Sequence, residues 1–199
     1  MRYAICVCFA ALLALSTVPL CMAQGTQQDS VEAVWRPQRL TFQYRSEGRL
    51  YACDLLQNKV ANILTQLGAR ERIVVRRGSC RDFAGTVQLE VLMESPVLAT
   101  PENIRAIIEY DSQDELIARV RGEHLPTAED LERFPAVWES ITIQRAPKVT
   151  LDTADCALVQ QLRRQILPKM SVQIVKDIER ADCTQARPRM TVMALVAKL

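Results

Sequence analysis

An α+β fold with antiparallel sheets is predicted for this 199-residue chain by three features of its sequence. Cys53 and Cys80 stand 27 positions apart, and so do Cys156 and Cys183. An apolar stripe at helical spacing follows the first cysteine of each pair, and apolar residues alternate with polar or smaller ones after the second. A repeated spacing with similar intervening patterns implies a repeated supersecondary unit. The expectation is an internal duplication: two disulfide-braced βαββ units, residues 35–94 and 138–199, separated by a hairpin and short-helix insert over 95–137.

The N-terminus sets the compartment. Arg2 gives a positive start, Ala4 to Leu15 is uncharged and almost wholly apolar, and Pro19 breaks the segment before Cys21-Met22-Ala23. That pattern is a secretory signal peptide, residues 1–23, with cleavage expected after Ala23. Its apolar run is too short for a bilayer, which takes about 20 residues to cross as a helix. Lipidation of Cys21 is disfavoured by the bulky Leu20 before it. Gln24 to Ala33 is polar and unpatterned, so a disordered leader is expected over residues 24–34.

Loss of the signal removes Cys6, Cys8 and Cys21 and leaves four cysteines in an oxidising compartment, the condition for structural disulfides. Four cysteines allow three pairings. Equal spacing favours Cys53 with Cys80 and Cys156 with Cys183, because a duplicated bridged unit produces that spacing directly. The remaining 24 basic and 23 acidic residues nearly cancel, which argues against a dedicated nucleic-acid binder.

The elements follow in order. A strand over Leu40 to Tyr44 precedes a helix opened by Cys53, whose stripe is Leu55, Leu56, Val60, Ile63, Leu64 and Leu67. Gly68 is the residue suited to end it. A β-rich stretch from Arg72 to Arg77 leads to Cys80, and Val87, Leu89, Val91 and Met93 alternate beyond it. In the second unit a strand over Ser140 to Gln144, or Val149 to Leu151, precedes the stripe Leu158, Val159, Leu162, Ile166 and Leu167, closed by Pro168. Ser171 to Ile178 and the alternation Met190, Val192, Ala194, Val196 complete it. A shift of 103 aligns both cysteines as well as the leucines.

Between the units, Glu94 to Glu102 carries two prolines and reads as a linker. Arg105 to Tyr110 and Leu116 to Arg121 read as a hairpin around Asp111-Ser112-Gln113-Asp114. Thr127, with Asp130 three residues on, reads as the N-cap of a short helix closed by Pro135.

No pattern in the chain calls for a catalytic group, a metal or another cofactor. The sole histidine, His124, lies in a loop sequence with no nucleophile at a recognisable spacing. One histidine with bridged cysteines does not make a zinc site. The carboxylates Glu109, Asp111, Asp114 and Glu115 lack the alternation and glycine of a calcium loop. The six glycines form no phosphate loop. Trp35 and Trp138 sit in no aromatic cluster and read as packing residues.

Arginine supplies the one suggestive polar feature. On a strand, Arg70, Arg72 and Arg76 project to one face and Ile73 and Val75 to the other, so three guanidinium groups line one side. Such a row suits an anionic envelope polymer, a lipid head group or an acidic protein, since guanidinium makes forked hydrogen bonds to carboxylate and phosphate. A charged solvent face that discourages edge pairing is the plainer explanation.

Tyr51-Ala52-Cys53-Asp54, Lys59-Val60, Leu67-Gly68-Ala69-Arg70 and Cys80 together resemble a pattern in uncharacterised exported proteins of Gram-negative bacteria. The resemblance covers about 30 residues and implies no activity. In the second unit Ala157 replaces Asp54 and the Gly-Ala-Arg string is missing.

The expected function is that of a non-catalytic periplasmic or secreted binding or envelope-accessory protein. Its expected partner is another envelope protein or an anionic envelope component, with no nucleic acid and no membrane span after signal removal. The alternatives are a secreted hydrolase with carboxylate catalysts, marked by a deep pocket, and an inhibitor or immunity-type partner of an envelope protein, marked by a protruding loop.

Overall fold

The computed structural model of the chain describes residues 29–143, 145–146, 149–177 and 190–198. The signal segment, leader residues 24–28, Gln144 and Cys183 lie outside them. Mixed helices and antiparallel sheet are present, as the patterning predicts. The strands are β1 (Val31–Arg45), β2 (Val74–Ser79), β3 (Thr86–Leu98), β4 (Arg133–Ile143), β5 (Arg145–Ala146), β6 (Val149–Thr150), β7 (Val172–Lys176) and β8 (Met190–Ala197). The helices are α1 (Cys53–Gln66), α2 (Pro101–Ile108), α3 (Ser112–Arg121) and α4 (Cys156–Gln165).

Six strands form one antiparallel sheet in the order β2-β3-β1-β4-β8-β7, and β5 pairs with β6 apart from it. Read from either edge inward, the strand that comes last in sequence lies between the other two. The register of β2 on β3 breaks between Arg77 and Ser79, opposite Leu89 and Gln88. That of β7 on β8 breaks between Ile174 and Lys176, opposite Val192 and Thr191.

Alternation decides which way each strand faces. Phe42 and Tyr44 of β1, Val87, Leu89 and Val91 of β3, and Met190, Val192 and Ala194 of β8 are buried in one core with the apolar faces of α1 and α4. A second, smaller cluster forms on the opposite face of the sheet from Ala33, Ala136 and Leu195, with Phe134 and Trp138 against it.

Helix α1 buries Cys53, Leu56, Val60, Ile63 and Leu64, while Leu55 of the expected stripe is exposed. It stops as its sequence requires. Gly68 adopts φ +92°, its amide donates to the Thr65 carbonyl and the Ala69 amide donates to that of Leu64, the pair of bonds that closes a glycine-terminated helix. A Cβ on Gly68 would lie 2.5 Å from the Leu195 carbonyl oxygen, so the same glycine lets α1 press against β8. Cys53 and Cys80 form a disulfide with Cα atoms 6.1 Å apart, tying the start of α1 to the loop after β2. Cys156 is also disulfide-bonded.

The insert differs from expectation. In place of a hairpin there are two helices, α2 and α3. The Asp111 carboxylate accepts from the amides of Gln113 and Asp114, each at 2.8 Å, and Asp114 accepts from the Asp111 amide, so the supposed hairpin turn is a helix capping box. The supposed linker is divided between the end of β3 and the start of α2, where Thr100 is the N-cap and Pro101 the first helical residue. At Thr127 the helix expectation also fails. Its amide and hydroxyl both donate to Asp130, closing a turn.

Strand β1 is far longer than its alternating core and takes in Val31 to Val34 of the expected leader. It pairs with β3 from Ala33 to Arg45 but with β4 only from Val31 to Val34. Pro37, which has no amide hydrogen, is tolerated where β1 has a single strand partner. Further along, the bare edge is taken by side chains. Gln161 of α4 accepts from the Arg45 amide and donates to the Arg45 carbonyl, each at 2.7 Å, and Gln165 does the same at Gln43 at 2.9 and 2.8 Å. Four helical residues advance about 6 Å and two strand residues about 6.6 Å, so side chains at i and i+4 match strand positions two apart.

Candidate functional site

The three arginines singled out by the sequence occupy different situations. Strand β2 begins only at Val74, so Arg76 lies in it while Arg70 and Arg72 precede it. Arg70 continues the edge of β3, with its amide 2.9 Å from the Glu94 carbonyl oxygen. Its guanidinium meets Glu94 at 2.9 Å and Glu132 at 3.1 Å and sits 5.3 Å from the centre of the Trp35 ring. The hydrogen bond to Glu94, with the nearby charge of Glu132, raises the Arg70 pKa above its ordinary value. Arg72 and Arg76 are exposed, with no charged or hydrogen-bonding partner among the described residues. Arg77 pairs with Asp54 of α1.

Trp35 stacks on Phe134 with ring centroids 4.4 Å apart and an interplanar angle of 25°. The β1–β4 register explains the contact. Ala33 lies opposite Phe134, so Trp35 is its diagonal neighbour on the same face of the sheet. Glu132, one residue before β4, is thereby brought to Arg70, which α1 and Gly68 deliver from the other side. The result is an open cleft of about 710 Å³. It is lined by the Trp35–Phe134 pair, by the small residues Gly68 and Ala69, and by the exposed cations Arg72 and Lys198. The Lys198 side chain has no charged or hydrogen-bonding partner among the described residues. Nothing in the local sequence of Trp35, Phe134 or Lys198 marks them as site residues, since they meet only through strand pairing.

A second polar constellation is built around a carboxylate closed to solvent. The Asp155 carboxylate, 0% exposed, accepts from the Tyr51 hydroxyl, from Lys59 at 2.6 Å and from the Asp152 amide at 2.9 Å. Arg49 binds Asp152 and approaches Asp155 at 3.9 Å. Burial, then the bond to Asp155, pushes the Tyr51 phenol far above its ordinary pKa, so it stays a neutral donor. Arg49 holds Asp152 below the ordinary carboxylate value. With the acceptors of its buried carboxylate occupied, this network holds α1 against the turn preceding α4.

His124 is exposed in the loop after α3. No group of three or more histidine, cysteine, aspartate or glutamate side chains converges on a possible metal position among the described residues. Among them, too, no helix is long and apolar enough to cross a membrane. Comparison with family models, with curated proteins and with solved structures gives no significant match for this chain.

Proposed function

We propose that this chain is an exported, non-catalytic binding module of the bacterial envelope, working through the arginines beside the cleft. The observation that carries the reading is the division of labour among them. Arg70 is held by Glu94, Glu132 and Trp35, whereas Arg72 and Arg76 stand exposed without partners among the described residues. Unpaired guanidinium groups on a fixed strand and its lead-in are suited to carboxylate or phosphate. The partner is an anionic envelope component or an acidic face of another envelope protein.

The scaffold is proposed to be two βαββ units produced by internal duplication. In its support, β3 lies between β2 and β1 as β8 lies between β7 and β4. The register breaks fall opposite Leu89 and opposite Val192, the pair that the shift of 103 aligns. Peptide mapping of the unreduced protein tests this part. A Cys156–Cys183 bridge is expected, and any other partner for Cys156 removes the braced-repeat reading.

The binding reading is tested by replacing Arg72 and Arg76 with glutamine. Exposed charges contribute under about 1 kcal/mol each to stability, so the variant keeps its fold. Retention on vesicles containing phosphatidylglycerol, or on an envelope partner copurified with the wild type, is expected to fall. Wild-type retention falls as salt is raised, because screening shortens the reach of exposed charges to about 8 Å at physiological ionic strength. Equal retention of variant and wild type at low salt refutes it.

A further inference from the structure

The cleft beside Arg70 has the make-up of a site for a particular ligand class. Its aromatic wall, Trp35 stacked on Phe134, is fixed on one side by the Arg70 guanidinium and half-buried, with the remaining ring surface lining the cavity. Gly68 and Ala69, also in the lining, bring main chain rather than bulky side chains to the surface, and Val196 and Ala197 extend the apolar lining. Gly68 is fixed there by its φ of +92° and its approach to Leu195. The volume of about 710 Å³ falls within the few hundred to about 1,000 Å³ typical of small-molecule sites.

Charge then narrows the choice. Three cations, Arg70, Arg72 and Lys198, line the cleft against two carboxylates, Glu71 and Glu132. Glu132 is bound to Arg70 at 3.1 Å, whereas Arg72 and Lys198 have no side-chain partner among the described residues. Arg70 is matched by Glu94 and Glu132, so the two cations left without a side-chain partner among the described residues, Arg72 and Lys198, are what a mainly apolar slot offers to a ligand with an apolar body and one negative group. We infer that the cleft binds an anionic amphiphile, its acyl or aromatic body against Trp35 and its carboxylate, sulfonate or phosphate head at Arg72 and Lys198. The inference rests on the binding-module reading and shares Arg72 with it, but adds Lys198, the aromatic wall and a ligand class.

The test uses the purified chain with its disulfides intact and three kinds of probe. 8-Anilinonaphthalene-1-sulfonate, anionic and aromatic, is expected to bind saturably at one site. Dodecanoate is expected to displace it, while inorganic phosphate and acetate, which offer a head without a body, are not. Replacing Arg72 and Lys198 together by glutamine is expected to weaken both anionic probes about tenfold, the effect of two exposed charge contacts. Uncharged N-phenyl-1-naphthylamine binds more weakly and is indifferent to the substitutions. The variant melts with the wild type, since both side chains are exposed. Full-strength binding of the sulfonate by the double variant, equally tight binding of the neutral probe, or displacement by phosphate alone overturns the inference. If it falls while replacement of Arg72 and Arg76 still releases the chain from anionic vesicles, only the cleft assignment is lost. If both fail, the binding-module reading goes with it.

Discussion

The Asp155 carboxylate meets the Lys59 ammonium at 2.6 Å in a position closed to solvent, joining the turn before α4 to the middle of α1. The two residues lie 96 positions apart, Lys59 within the first cysteine-framed segment and Asp155 immediately before the second. A buried charge of this kind is costly unless its partners are kept, and removing one member of such a pair typically costs about 3 to 5 kcal/mol.

Replacing Asp155 by alanine is therefore expected to destabilise the fold by about 3 kcal/mol or more in urea denaturation. Arg49→Gln breaks a pair whose members are partly exposed and is expected to cost under about 1 kcal/mol. Similar losses for the two substitutions would show that the Asp155 network is not the tie between the helices that its burial indicates.

Asp152 gives a pH dependence whose sign is fixed. Its folded pKa is lowered, first by the hydrogen bond from Arg49. The unfolded chain thus binds the proton more tightly. The stabilisation is complete above the ordinary aspartate value of about 3.9 and disappears as pH falls through the lower folded value. Because the Asp152 side chain is half exposed, the effect is under about 1 kcal/mol. Melting curves between pH 2 and 5, a window of about three units around that pKa, should show a shallower acid slope for Arg49→Gln than for wild type. An unchanged slope contradicts the assignment.

Two glycines with positive φ predict unequal costs. At Gly68 an added Cβ meets the Leu195 carbonyl oxygen at 2.5 Å, whereas at Gly122, φ +66°, it meets nothing within 4 Å. Gly122→Ala pays only for the left-handed backbone, about 1 kcal/mol, and Gly68→Ala adds the clash, for at least about 2 kcal/mol in all. Calorimetry should rank them in that order. The reverse ranking would mean that α1 does not press on β8 as described.

The glutamine hooks on β1 make a further separation. Gln161 is buried and its bonds to Arg45 are partly so, and Gln161→Ala, which leaves the Arg45 amide and carbonyl without them, should cost about 1 to 3 kcal/mol. Gln165 bonds nearer the surface, where water takes its place, and Gln165→Ala should cost under about 1 kcal/mol. Hydrogen exchange at the Arg45 amide should quicken only in the first variant. Unaltered protection there would show that something other than Gln161 shields the edge.

Local pattern carried much of this fold. The α1 stripe and its stop at Gly68 were legible because a helix buries residues three and four apart and a left-handed terminus favours glycine. Alternation exposed the inward faces of β3 and β8, and equal cysteine spacing pointed to Cys53–Cys80. The insert was misread. Leu116, Ile117 and Val120 are exposed on α3, so the apolar signal there did not arise from core packing. Asp111 and Asp114 suit a turn and a helix start equally, because both use a short carboxylate to bind nearby amides.

By itself the sequence determined the class of fold, the apolar face of each main helix and strand, and the helix-ending role of Gly68. Each depends on residues within a turn or two of one another. Tertiary structure alone decided the length of β1, the β1–β4 junction, the capture of Arg70 by Glu94 and Glu132, and the cleft where Trp35, Phe134 and Lys198 meet. These depend on partners brought together from about 20 to 160 positions away by strand order and register. A slip of one residue in that register moves a strand's side chains to the opposite face, yet it leaves each local pattern intact.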